Sequence, residues 1–184
     1  ELTDGRVLDA DFVVVAVGIR ANADLALTGG LDVGRGIRVD DHLQASLVDI
    51  HAIGECAEHR GVCYGLVEPA YEQARVLARR LAGDRSAAYT GSVLATNLKV
   101  SGVNVFSAGD FLGASGTEAV VLTDPGLDTY KKLVIADGRL AGAVLYGDTA
   151  DGLWYLDLIR AGAPIEKFRD RLAFGRALVE RKAA

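Results

Sequence analysis

The chain has 184 residues, with 20 Lys and Arg against 25 Asp and Glu, 22 Gly, two Cys, one Trp and no Met. The net charge of −5 excludes a broadly basic nucleic-acid surface, and a half-hydrophobic, one-quarter charged composition excludes a disordered tail. The longest apolar run, residues 12–17, falls far short of the roughly 20 residues that cross a bilayer, and two cysteines cannot build a disulfide framework, so we expect no membrane and a cytoplasmic setting. A chain that opens on Glu1 and lacks methionine is expected to be a piece of something larger.

The first half alternates strand and helix signals. Residues 6–8 and 12–17 are β-rich, and the run Phe12, Val13, Val14, Val15, Ala16, Val17 is continuous, as in a strand buried on both faces. Gly18 ends it. A loop carries Gly29-Gly30 and Gly34-Arg35-Gly36 to a short strand at 37–39, and residues 50–53 predict another buried strand stopped by Gly54-Glu55. A helix is predicted with Pro69 in its first position, where a missing N–H costs nothing. Its inner face would be Ala70, Tyr71, Ala74, Leu77, Ala78 and Leu81, its last turn carries Arg79 and Arg80, and Gly83 suits its end. Small and polar residues from 83 to 92 mark a domain boundary, giving units at 1–84 and 93–184.

The second half changes period. An apolar stretch at 98–106 breaks at Ser101-Gly102, and residues 118–123, 129–136 and 139–146 predict three consecutive strands. Asp124-Pro125-Gly126 supplies the first turn, and Asp137-Gly138 is a strong two-residue hairpin signal. Thr149 is placed to cap a helix from 150 to 161, with Leu153, Leu156 and Ile159 inward, Trp154 and Leu158 flanking, and Gly162 and Pro164 as its stop. A second helix is expected from 165 to about 172, followed by a charged tail at 176–184 that frays. The fold class is therefore α/β followed by α+β, the latter an antiparallel meander with helices packed on it.

In open α/β sheets ligands collect beyond the carboxyl ends of strands. Gly54 would admit a ligand close to the backbone, Glu55 would offer a carboxylate to a sugar hydroxyl, and the Pro69 helix would turn its unpaired N–H groups toward an electron-rich group. A carboxylate for a polyol and a helix end for an anionic ring edge together suit a flavin nucleotide. On pattern alone, however, a Gly-Glu pair is first a turn.

Motif order sharpens this reading. Residues 11–22 resemble the strand and turn that leave the NAD domain of two-dinucleotide flavoprotein reductases, residues 45–57 resemble their second FAD motif, and residues 65–74 resemble the helix start beneath their flavin. The Gly-Glu-Cys variant at 54–56 and the Gly65-Leu66-Val67-Glu68-Pro69 segment resemble the large subunits of cytoplasmic NAD(P)H nitrite reductases, and residues 98–172 resemble the C-terminal domain of nitrite and rubredoxin reductases. The resemblance implies an incomplete FAD-binding nucleotide domain followed by a small antiparallel-sheet-and-helices C-terminal domain. It implies that Glu55 bonds the ribityl or pyrophosphate region of FAD, that Leu66, Val67 and Glu68 present backbone N–H groups to the pyrimidine edge of the ring, and that Gly18 lies where the nucleotide domains cross. It further implies NAD(P)H as the electron source, with iron–sulfur and sirohaem centres and adjacent electron-transfer domains outside this chain, and alternatively a rubredoxin or ferredoxin reductase, or a dimerisation or docking module.

No Gly-x-Gly-x-x-Gly motif follows a strand in this sequence, so FAD binding by the chain alone is expected to be weak or absent, and no residue is assigned as catalytic. Apolar edges of an interrupted sheet should favour a homo-oligomer. The string His51, Cys56, His59, Cys63 fits no common zinc spacing; Cys56 and Cys63 read as free thiols, with a redox pair as the alternative. Glu118, Asp124 and Asp128 read as a solvated rim, Trp154 and Tyr155 as core or interface, and Lys131-Lys132 as an exposed strand face with an acidic carrier as a possible guest.

Overall fold

The computed structural model describes residues 2–100 and 102–180, and the chain divides between Thr90 and Gly91 into two units, each with its own core. In the first unit a short helix, α1 (Asp24–Thr28), precedes a three-stranded sheet of β1 (Ile37–Val39), β2 (Ala57–His59) and β3 (Val62–Cys63). β1 runs parallel to β2, and β2 turns back onto β3 through Arg60 and Gly61, whose positive φ angles of 49° and 78° are those of a tight primed turn. The long helix α2 (Val67–Leu81) follows. Its end is set by Gly83 at φ +99°: the Gly83 N–H reaches the Arg80 carbonyl and the Asp84 N–H reaches the Arg79 carbonyl, both at 3.0 Å, which closes the last turn.

Several expectations are corrected here. Residues 12–17 form no strand: Val13 and Val17 are 79 % and 89 % exposed, and residues 6–8 are irregular too. β-branched residues favour a strand only where a neighbour completes the ladder, and among the described residues no strand lies beside them. Residues 50–53 contribute one antiparallel bridge, His51 to Gln44, because the chain turns sharply at Asp49 (φ 64°). Pro69 is the third residue of α2, after Val67 and Glu68, still within the turn where a missing N–H is harmless. The inner face of α2 is Pro69, Gln73, Val76 and Leu77, whereas Tyr71, Ala78 and Leu81 are exposed.

The core of the first unit is small: Leu43, Tyr64 and Tyr89, with Val39, Ile53, Val76 and Leu77 packed on them. Polar links reinforce it. Asp41 accepts hydrogen bonds from Arg60 (Nε at 2.9 Å, Nη2 at 2.6 Å) and pairs with Nε2 of the buried His59 at 2.9 Å. The His59 ring lies 4.8 Å from that of Tyr89, whose N–H donates to the Asp41 carbonyl at 2.7 Å. The segment around Tyr89 is thus fastened to the sheet by both side chain and backbone.

The second unit is a five-stranded antiparallel sheet in the order β4 (Ala95–Val100), β5 (Val103–Gly109), β8 (Arg139–Tyr146), β7 (Thr129–Ala136), β6 (Glu118–Asp124). The stretch predicted as bent is a β4–β5 hairpin; Gly102, at φ 81°, sits in its turn, and Ser101 lies outside the described residues. β6 to β8 match the predicted strands, and Asp137 and Gly138 (φ 48° and 69°) form the two-residue turn. The helix α3 (Gly152–Ala161) covers β5 and β8, ended by Gly162 in the left-handed conformation. Gly152 sits so near the Phe106 ring that a Cβ there would lie 2.7 Å from it. Leu133, Leu145, Ile165 and Leu172 are fully buried, each contributing about 1.5–3 kcal/mol relative to exposure.

α3 begins two residues later than predicted, with no side-chain cap and with Leu153 exposed, its place inside taken by Tyr155. The helix expected after residue 165 is a series of turns ending in a 3-10 turn at Leu172–Phe174, because Ile165 is drawn into the core and the Tyr155 hydroxyl donates to the Leu172 carbonyl at 2.8 Å. Arg176–Val179 forms a short helix, α4, and the rest of the tail expected to fray, 181–184, lies outside the described residues. Lys131 and Lys132 are not a free cationic face. Lys131 Nζ donates to the Ala173 carbonyl at 3.0 Å, lies 3.8 Å from Asp151 and stands over the Tyr155 ring, while Lys132 Nζ donates to the Leu112 carbonyl at 3.1 Å. Glu118 pairs with Arg169, and Asp124 accepts two N–H groups of its own turn.

Two outcomes follow. The hydrogen bonds from Arg60 and then His59 hold the Asp41 carboxyl at about 2, below its usual 3.8. With a lowered native value the unfolded chain binds the extra proton, so this contribution is complete above about pH 4 and is lost as pH falls toward 2. An acid titration followed by near-ultraviolet circular dichroism should show a loss of tyrosine signal in that window. Asp41→Asn should reduce the step without abolishing it, since Asp84, held at about 2 by Ser86 and Arg79, titrates there too. An unaltered profile would refute the clasp. In the second unit, a Cβ on Gly142 would lie 2.2 Å from the Asp110 carbonyl and 2.4 Å from the Phe111 nitrogen, all backbone. Gly142→Ala should therefore cost about 1–3 kcal/mol or more, read as a lowered melting temperature.

Candidate functional site

The turn at Gly54–Cys56 and the start of α2 are neighbours in the first unit. Gly54 has φ +80°, a conformation that side chains rarely adopt, and its N–H donates to Gln73 Oε1 at 2.6 Å. The next residue, Glu55, is exposed at the head of a one-turn 3-10 helix, and the Cys56 thiol donates to the Ile53 carbonyl. α2 opens from Leu66, whose backbone is extended, with no side-chain cap, so its first turn presents partial positive charge outward.

These features share a cavity of about 260 Å³ lined by Glu55, Leu66, Val67, Ala70, Tyr71 and Ala74. Its wall is almost wholly apolar, so Glu55 borders it through the stem of its side chain. On the other side of Glu55 lies a cavity of about 500 Å³, where Arg20 and Arg35 face Tyr64, Gly65 and the Cys63 thiol. Burial and then the charge of Glu58 push that thiol above its usual range, which disfavours thiolate chemistry. A Cβ on Gly65 would meet only the far end of the exposed Ile19 side chain, Cδ1 at 2.3 Å, which can swing aside.

Of the residues singled out from sequence, Gly54, Glu55, Leu66 and Val67 come together. Glu68 is exposed on the first turn of α2 but does not line the cavity. Gly18, at φ +91°, is exposed and lines neither cavity, although Ile19, Arg20 and Ala21 after it line the larger one. Sequence reasoning missed Arg20, Arg35 and Tyr64, which carry no motif of their own, and Gln73, whose signal was a polar residue at a buried helical spacing.

The glycine-rich loop at 34–36 has a different task from the phosphate cradle its spacing hints at. Glu58, 9 % exposed, points a carboxylate oxygen into it and accepts the Arg35 N–H at 2.6 Å and the Gly36 N–H at 3.0 Å. A Cβ on Gly34 would lie 2.5 Å from that oxygen. The converging N–H groups are already filled by the protein's own anion. The string of His and Cys disperses likewise: His59 pairs with Asp41, His51 forms a strand bridge, and both cysteines are free. Among the described residues no three His, Cys, Asp or Glu side chains converge on a metal position, and no helix is long and apolar enough to cross a membrane.

The geometry can be set beside known proteins. The sequence profile of the pyridine nucleotide-disulphide oxidoreductases matches residues 1–80, and that of the rubredoxin NAD+ reductase C-terminal domain matches residues 95–163. A nitrite reductase [NAD(P)H] of Bacillus subtilis is 48 % identical over 164 residues, covering 89 % of this chain and 20 % of that protein. The nitrite reductase (NADH) large subunit of Escherichia coli is 40 % identical over 153 residues, covering 80 % of this chain and 18 % of its own length. The chain thus spans about one fifth of the curated relatives it matches. Among solved structures, an NADH:rubredoxin oxidoreductase from Clostridium acetobutylicum superposes with a TM-score of 0.65 at 28 % identity, over 86 % of this chain and 41 % of that one. With both halves matched in order, the chain belongs to the pyridine nucleotide-disulphide oxidoreductase superfamily, and nitrite reductases are among the relatives it is similar to.

Proposed function

We propose that this chain is part of a cytoplasmic FAD-dependent NAD(P)H reductase of the nitrite reductase type. Residues 1–84 would be the C-terminal part of its dinucleotide-binding region, and residues 93–184 its rubredoxin-reductase-like domain. The observation that carries this reading is the shared cavity: Glu55 and the first residues of α2, a helix start with no side-chain cap, border one apolar space. The residues present suit the flavin end of such a cofactor. Glu55 can accept a hydrogen bond from a hydroxyl of the ribityl chain; a carboxylate and a pyrophosphate are both acceptors, so its contact falls on the ribityl side of that region. Backbone N–H groups of the segment Leu66, Val67 and Glu68 favour negative charge at the edge of a flat ring, and Leu66, Val67, Ala70 and Tyr71 give the ring an apolar seat. Gly18 is proposed at the crossing of the two nucleotide domains.

When bound, FAD would supply hydride acceptance from NAD(P)H and electron release toward iron–sulfur and sirohaem centres elsewhere in the polypeptide. The chain's own part is to orient the cofactor and to set the charge around it. Neighbouring electron-transfer domains are the proposed partners, and the exposed apolar run at residues 12–17 supports a homo-oligomer or a strand added from another segment. A rubredoxin- or ferredoxin-reductase role is the second reading, supported by the match at residues 95–163 and the rubredoxin oxidoreductase likeness; it differs in the electron acceptor.

The test is Glu55→Gln in the complete reductase, with retained FAD measured by its visible absorption after desalting. Loss of a charge-assisted hydrogen bond should weaken retention about tenfold, roughly 1.4 kcal/mol, with the fold unchanged. Undiminished retention would remove Glu55 from the site.

A further inference from the structure

We propose that Gln73 is the positioning residue of this site: it holds the Gly54–Glu55 turn against α2, and so keeps Glu55 at the edge of the cavity where the helix begins. The proposal rests on the FAD reading above and names the residue that gives that site its shape.

Gln73 is anomalous for its position. It is 0 % exposed and sits on the inner stripe of α2 with Pro69, Val76 and Leu77, at spacings where an apolar residue would pack without penalty. A buried carboxamide is tolerated when its polar atoms are paired, and here the pairing is one-sided. Its Oε1 accepts the Gly54 N–H at 2.6 Å, while no group among the described residues accepts from its buried Nε2. Packing alone does not account for a residue that leaves a donor unpaired in the interior. The bond it does make is at the one place where the turn needs support.

Gly54 stands at φ +80°, and the nearest atom to a Cβ built there is the Ala70 Cβ at 3.9 Å, so Gly54 itself is not pressed against the helix, while the far end of the turn, at Cys56, packs on Gly36. Among the hydrogen bonds that involve it, the one from Gly54 N–H to Gln73 is the link between the turn and the helix. Glu55 follows directly and lines the same cavity as Leu66, Val67 and Ala70 of the helix start. Freed from Gln73, the Gly54 end of the turn loses its hydrogen bond to the helix, and Glu55 loses that tie with it.

Gln73→Met separates positioning from mere packing. Methionine keeps the length and removes both polar atoms, so one buried donor, Gly54 N–H, loses its partner while another, Nε2, is deleted. These effects oppose, and the melting temperature should stay within about 5 °C of the original. By contrast, hydrogen exchange at the Gly54 amide should accelerate at least about tenfold, and FAD retained by the complete reductase should fall by a similar factor. Gln73→Glu, which keeps an acceptor oxygen at the same reach, should restore both. Unchanged exchange at Gly54 with Gln73→Met overturns the proposal, as does faster exchange with undiminished FAD. A general loss of protection that Gln73→Glu does not relieve overturns it too, by showing a packing role. If the unaltered reductase holds no FAD, the FAD reading fails on its own, and the Gly54 exchange still decides whether Gln73 fixes the turn.

Discussion

One partly buried hydrogen bond, from the Gly54 N–H to the carboxamide of Gln73, sets the relation between a turn and a helix on which the candidate site depends. The turn brings a left-handed glycine, which has no side chain with which to fix itself. The helix brings a polar side chain where the interior prefers none. Leaving the second half of an amide unpaired costs about 1–3 kcal/mol, a large part of the stability of a small unit, so apolar substitution there would be the easier solution for packing alone. What the arrangement secures is position: the residue after the turn and the start of the helix border one apolar space.

The same logic of aimed polar contacts recurs in the first unit. Glu58 reaches into the Gly34–Gly36 loop and uses up the N–H groups that a glycine spacing of that kind would offer to a phosphate. That occupancy excludes the loop as a phosphate cradle on physical grounds: a second anion would meet both a filled set of donors and a like charge. Arg35 then turns its guanidinium outward, where it donates to the Gly61 carbonyl and lines the larger cavity with Arg20.

Local chemistry made some of this legible in sequence. Asp137-Gly138 specified its hairpin because both residues tolerate positive φ, and the flanking strands needed no distant partner to be recognised. Gly54-Glu55 was also readable as a turn, and the helix after it was readable with its start placed two residues late, at Pro69 instead of Val67. Residues 12–17 were misread for the opposite reason: a run of valines reports what a segment could pair with, and not whether a partner lies beside it. The role of Lys131 was invisible because polar side chains are expected outside, and Gln73 showed only as a polar residue at a buried helical spacing. One lies over an aromatic ring beside an aspartate and the other bonds a distant N–H, and neither relation has a sequence period. The turns after Ile165 escaped for a related reason, as their form follows the Tyr155 hydroxyl rather than local propensity.

The two units are stabilised by different means, and this bears on how a ligand would act. The second unit has a wide apolar core, where Phe106, Leu133, Leu145, Tyr155 and Leu172 interlock between sheet and helix. The first has a core of Leu43, Tyr64 and Tyr89, and is otherwise tied by directional polar links at Asp41, Glu58 and Gln73. Such links specify geometry well but add little net free energy, because each replaces a hydrogen bond with water. A unit of that kind is precise yet weakly held. Anything bound between Glu55 and the start of α2 would then raise its stability by mass action, because it would bind the arranged state and not the unfolded one. Ligand occupancy and the order of the first unit are thus one equilibrium, and a change at Gln73 would act on both through a single bond.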